Sequence, residues 1–158
     1  MTKIERFEDL QSWQKARELA NVVYDLTSRP GFAKDFQLRD QIRDAAGSVM
    51  HNIAEGFDSG TDPEFIRFLK IARRSASEVQ SQLYLALDRR YITAEELKAA
   101  YNLATGVKRL INGMIAYLRK QSRSRVVSQL HHMTIRLHDY KTTRLGDYQC
   151  RLIFTVET

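Results

Sequence analysis

Residues 65–86 read Phe65-Ile66-Arg67-Phe68-Leu69-Lys70-Ile71-Ala72-Arg73-Arg74-Ser75-Ala76-Ser77-Glu78-Val79-Gln80-Ser81-Gln82-Leu83-Tyr84-Leu85-Ala86. Within them Phe65, Leu69, Ala72, Ala76, Val79, Leu83 and Ala86 recur alternately four and three residues apart. A 3.5-residue apolar repeat keeps one stripe of a helix against its neighbours in a left-handed bundle. Leu97, Ala100, Ala104, Val107, Ile111, Met114 and Leu118 repeat the pattern downstream. Upstream, Leu38, Ile42, Ala45, Val49 and Ile53 form a third stripe. A fourth runs through Trp13, Ala16, Ala20 and Val23, with Leu19, Val22 and Leu26 beside it. Four segments that each need to bury one edge predict an all-α, up-down-up-down antiparallel four-helix bundle.

Punctuation between the stripes sets the boundaries. Arg29-Pro30-Gly31 breaks the chain after the first helix. Gly56 stands where a C-terminal glycine would let the second helix turn. Asp62-Pro63 reads as an N-cap followed by proline in the first turn, and Thr93 with Glu96 as a capping box. The predicted helices cover residues near 9–27, 35–55, 63–88 and 94–120, giving a bundle over 1–121. Residues 122–158 read as an extended or disordered tail, with a small hairpin as the alternative. Arg136-Leu137-His138-Asp139-Tyr140 recurs there as Arg144-Leu145-Gly146-Asp147-Tyr148 without an amphipathic helical period, and residues 148–156 have β-forming composition.

The chain has 158 residues, 43% hydrophobic and 28% charged, and a net charge of +6. That balance is typical of a globular domain. No apolar run is long enough to span a bilayer or to serve as a signal peptide, so a cytoplasmic protein is expected. The single cysteine, Cys150, has no internal disulfide partner and no activating neighbour. Half of the positive excess sits at the C-terminal end: residues 1–120 hold 19 Lys and Arg against 16 Asp and Glu, and residues 121–158 hold 6 against 3.

Two sets of polar residues are candidates for function. Ser48, Asn52 and Glu55 share one face of the second helix, and Arg74, Glu78 and Ser81 keep the same spacing on the third. A network of Ser48, Asn52, Glu55, Arg74 and Glu78 between these helices would fix register, which is favoured over a ligand site. The second set is basic. Arg67, Lys70 and Arg74 share one face of the third helix with Arg73 adjacent, while Lys108, Asn112 and Arg119 share one face of the fourth with Arg109 and Lys120 beside them. Such lines either solvate outer faces or contact phosphates. Gly106 and Gly113, seven apart, permit a close helix approach or are simply tolerated.

Chemistry finds little support. A ferritin-like metal site needs paired Glu-x-x-His motifs, whereas His51 and Glu55 stand four apart in the reverse order and His51 is the bundle's only histidine. Gly56 and Gly60 match no phosphate-loop spacing. No catalytic residue, cofactor, metal or small-molecule substrate is expected.

The segments Phe7-Glu8-Asp9-Leu10 to Trp13-Gln14-Lys15-Ala16, Gln41-Ile42-Arg43 to Asn52-Ile53-Ala54-Glu55-Gly56, and Phe65, Phe68-Leu69 to Ala72-Arg73-Arg74-Ser75-Ala76-Ser77-Glu78 carry a resemblance. They resemble the bacterial four-helix bundle family encoded by intervening sequences in large-subunit ribosomal RNA genes, over about residues 5–120. Gly47 and Met50 depart from the commoner residues of relatives without disturbing the fold. The resemblance implies closed rings of five bundles and kinship with basic accessory proteins of diversity-generating retroelements, which bind reverse transcriptase and nucleic acid. The ribosomal-protein label of some relatives reflects gene location. It brings no catalytic residues. The expected protein is thus a non-enzymatic homo-oligomer, a pentamer, that holds RNA or a nucleic-acid-handling protein on its basic faces. The alternative is a purely protein-binding accessory subunit, for instance of a reverse transcriptase.

Overall fold

Helix boundaries follow from local capping chemistry. The computed structural model describes the backbone of residues 4–153 and the side chains of residues 4–127. It contains four α-helices, α1 (Gln11–Thr27), α2 (Phe36–Asp58), α3 (Asp62–Asp88) and α4 (Ala94–Ile153), with 3-10 turns at Phe7–Asp9 and Phe32–Lys34 and no strand among the described residues. Asp35 caps α2, its Oδ1 accepting from the Leu38 N–H at 3.1 Å. Thr93 and Glu96 form the expected capping box: the Glu96 N–H donates to Thr93 Oγ1 at 3.2 Å, and the Thr93 N–H to Glu96 Oε2 at 2.9 Å.

Two caps differ from the sequence reading. Thr61, rather than Asp62, is the N-cap of α3, its Oγ1 accepting from the Glu64 N–H, and Asp62 with Pro63 fills the first turn. Gly56 does not end α2, which continues to Asp58, and the left-handed turn falls to Gly60 at φ 78°. Gly56 is instead a point of close approach to α3. A Cβ there would lie 2.7 Å from Phe68 Cβ and 2.8 Å from Phe65 Cδ2.

The stripes meet as a four-helix bundle. Phe65, Leu69, Ala72, Ala76, Val79, Leu83 and Ala86 of α3 are all buried, as are Ala100, Ala104, Val107, Ile111 and Leu118 of α4. Leu38, Ile42, Ala45, Val49 and Ile53 of α2 and Ala16, Leu19, Ala20, Val23 and Leu26 of α1 complete one core. Contacts between helices give the order and sense. Thr27 of α1 reaches Arg43 of α2, and Ser48 of α2 meets Ser75 of α3. Arg73 and Gln80 of α3 reach Asn112 and Thr105 of α4, and Arg29 just after α1 pairs with Glu96 at the start of α4. Each neighbour is therefore antiparallel. The two connections at one end are tied together by Phe32 stacked on Tyr91, ring centroids 5.0 Å apart, and by the Tyr91 hydroxyl donating to Asp35 Oδ2.

The chain divides into two units, Met1–Leu118 and Arg119–Thr158. The expectation of an extended tail or hairpin from residue 122 is corrected: α4 stays helical to Ile153. A missing apolar stripe does not by itself exclude a helical backbone. The chain's two prolines are Pro30 and Pro63, so no proline interrupts the backbone beyond residue 94. Residues 154–158, where the hairpin reading ended, lie outside the described residues.

Three outcomes follow from this packing. Gly56→Ala, although favourable for helix propensity, destabilises the bundle by about 1–3 kcal/mol because its methyl group has no space; urea denaturation measures it. Arg90 holds φ 60° after α3, with the Tyr91 N–H bonded to the Ala86 carbonyl in a left-handed helix stop. Arg90→Gly therefore raises stability by on the order of 1 kcal/mol in the same assay. The third concerns Glu96, whose carboxyl lies below the usual carboxylate range because Arg29 and the Thr93 N–H bind its ionised form. A folded pKa below the unfolded one gives stability that is present above the unfolded value and lost as pH falls through the folded value. The deficit of Glu96→Gln against the parent at about pH 7 consequently narrows towards about pH 3.

Candidate nucleic-acid interface

Charge is divided unevenly between the halves of the bundle. Residues 1–58, containing α1 and α2, hold eight Lys and Arg against ten Asp and Glu, a net of −2; residues 59–118 hold nine against six, a net of +3. Within the second half, Phe65–Ser77 and Leu97–Leu118 contain seven cations, Arg67, Lys70, Arg73, Arg74, Lys98, Lys108 and Arg109, and no carboxylate.

The antiparallel pairing of α3 and α4 brings several of these cations to one seam. Arg73, Ser77, Gln80 and Tyr84 follow each other at 4-3-4 spacing on α3 and face Tyr101, Thr105, Lys108 and Asn112 at the same spacing on α4. Arg73 Nη1 donates to Asn112 Oδ1 at 2.9 Å. Gln80 is buried, and its amide nitrogen donates to the Tyr101 carbonyl at 3.2 Å and to Thr105 Oγ1 at 2.8 Å. Lys108 Nζ donates to Gln80 Oε1 at 2.8 Å. Tyr84 meets Tyr101 edge to face, with ring centroids 5.9 Å apart. Buried polar groups that are satisfied in this way hold their side chains in place, so the seam is a rigid strip.

The basic residues anticipated from the sequence fall into four groups. Lys70, Arg74 and Arg109 are exposed and hold no ion pair among the described residues. Arg67 is engaged, paired to Glu64 at 2.9 Å and lying over the Phe68 ring at 4.4 Å. Arg73 and Lys108 are fixed along the seam, whereas Arg119 and Lys120, both exposed, belong to the second unit.

The anticipated network between α2 and α3 forms only in part. Ser48 Oγ lies 2.9 Å from Ser75 Oγ, and the Asn52 amide donates to the Ser48 carbonyl at 2.7 Å and to Ser48 Oγ at 3.0 Å. Glu55 and Arg74 do not join; both are exposed, one position too far around their helices. Glu78 accepts from Gln82 at 3.4 Å on its own helix. Ser75, Gln80 and Gln82, all buried, were missed in the sequence because they look like surface residues beside the apolar stripe. The 4-3-4 spacing of the flanking polar residues was the signal available. Of the paired glycines, Gly106 faces the aliphatic stem of Lys15 on α1, while a Cβ at Gly113 would meet nothing within 4 Å.

No three His, Cys, Asp or Glu side chains converge as a metal site would require, among the described residues. No helix in the described part is long and apolar enough to cross a membrane.

A crystal structure of a protein of unknown function from the S23 ribosomal protein family of Bacteroides thetaiotaomicron is similar, with a TM-score of 0.60 and 27% identity over 66% of this chain and 97% of that one. No curated protein matches the chain at a significant level. The family model for the 23S rRNA-intervening sequence protein matches residues 8–113, which span α1 to α3 and the first part of α4. The chain belongs to the 23S rRNA-intervening sequence protein family.

Proposed function

We propose that the protein is a non-enzymatic, homo-oligomeric helical scaffold in the cytoplasm, a ring of five bundles, that binds RNA on its α3–α4 face. The observation that carries this reading is the absence of carboxylates from Phe65–Ser77 and Leu97–Leu118, which hold seven cations. Cations that merely keep a surface in solution are normally interspersed with acids, as they are on α1 and α2. A face with an excess of one sign raises the local concentration of polyanions and exchanges its counterions for phosphates. Self-association draws on large side chains of apolar character that stay half exposed, Tyr24 and Leu85.

A second reading, an accessory subunit that contacts only protein, draws on the α1–α2 face. Phe36, 64% exposed, lies under the Arg39 guanidinium at 4.7 Å, and Tyr24 lies under that of Arg43 at the same distance. Pinned aromatic and arginine side chains are common anchors of protein interfaces. Co-purification with and without nuclease separates the readings, because a protein partner of the second kind survives the treatment.

Titration of a fluorescent structured RNA at two salt concentrations tests the first. Binding is expected to weaken steeply with salt. Replacing Lys70, Arg74 and Arg109 by alanine is expected to lower affinity and to flatten the salt dependence, by about one unit of slope for each phosphate no longer neutralised. Binding that ignores salt, or none at low salt, overturns it. Light scattering on the purified chain checks the oligomer: a single bundle at micromolar concentration contradicts a ring.

A further inference from the structure

The basic face ends in an aromatic pair that charge neutralisation alone does not require. Tyr84 is 51% exposed although its neighbour Gln80, one turn earlier, is buried. Its ring is held against Tyr101 at an interplanar angle of 72°, so one surface is braced and the rest is open to solvent. Along α3, Tyr84 lies eleven residues from Arg73, about 16 Å at the helical rise. The strip between them carries Lys108 and the fixed Gln80 amide.

We propose that this seam is a track for an unpaired stretch of RNA, whose phosphates run along Lys70, Arg73, Lys108 and Arg109 while one base stacks on Tyr84. The inference rests on the RNA-binding reading above and adds the form of the ligand. An aromatic face gains stacking energy only from a base that is free to leave its own helix. A duplex keeps its bases stacked inside and offers a flat strip only its phosphates, which leaves Tyr84 without a role. Stacking reads no base edge, and the seam's amides are taken up in part by the protein itself. Both polar ends of the Gln80 amide are occupied, by Tyr101, Thr105 and Lys108, and Asn112 Oδ1 accepts from Arg73. Recognition is therefore tolerant of sequence and selective for single strands.

Fluorescence anisotropy on the full chain tests this, with a labelled unstructured RNA of about 12 nucleotides and a blunt-ended RNA duplex of the same length. The single strand is expected to bind more tightly. Tyr84→Ala weakens that binding roughly 5- to 150-fold and leaves binding of the duplex unaffected; Tyr84→Phe keeps the preference. Because Tyr84 is exposed, neither substitution opens the core, and circular dichroism of both variants verifies that the fold is kept. Equal affinity of Tyr84→Ala and the parent for the single strand overturns the stacking site, yet leaves the basic face standing if both remain salt-dependent. Absence of RNA binding at low salt overturns both. Displacement of the strand by oligoglutamate as readily as by unlabelled RNA shows an acidic protein to be the better occupant and also sinks the inference.

Discussion

The approach distance of the helices governs the rest of the structure, and small side chains set it. Ala16 and Ala20, Ala45 and Ala46, Ala72, Ala76 and Ala86, and Ala100 and Ala104 are buried along the four stripes, alternating with Leu, Ile and Val. Gly56 extends the principle to its limit where α2 touches Phe65 and Phe68 of α3. Interiors packed at crystal-like density leave little slack, so the polar residues flanking each stripe are brought within hydrogen-bonding range across the seams. Ser48 with Ser75, and Gln80 with Thr105 and Lys108, are consequences of that proximity.

The same geometry separates two kinds of surface. On α1 and α2, arginines are interleaved with acids or lie over exposed aromatic rings, as Arg39 does with Asp40 and Phe36. In the Phe65–Ser77 stretch of α3 and the Leu97–Leu118 stretch of α4, cations accumulate without carboxylates between them. Salt screens exposed charges within about 8–10 Å, but a row of like charges fixed to one rigid seam acts on an extended polyanion as a unit. The buried Gln80 network keeps Lys108 directed along the seam, which links the packing of the core to the placement of the charge.

Much of the fold was legible in the sequence because a 3.5-residue repeat is a direct consequence of burial. All seven stripe positions of α3 are buried, and Thr93 with Glu96 forms the expected cap. What failed were inferences from single residues. Gly56 looked like a helix stop, but a glycine can serve either a turn or a close contact, and only the position of Phe68 distinguishes them. The end of α4 was misplaced because amphipathicity fades near Leu118 while the backbone remains helical to Ile153. The candidate site was legible as a list of cations and not as a surface. Which of them share a seam depends on the α3–α4 register, and the buried Gln80 that bridges the two helices resembles a surface residue in sequence.

The central claim, that RNA lies on the α3–α4 face, is tested most directly by lysine footprinting of the chain with and without RNA. Lys70 and Lys98 on that face are exposed, and so is Lys34 in the connection between α1 and α2. The account predicts that RNA protects Lys70 and Lys98 from acetylation and leaves Lys34 reactive. Protection of Lys34 with Lys70 unchanged would contradict it.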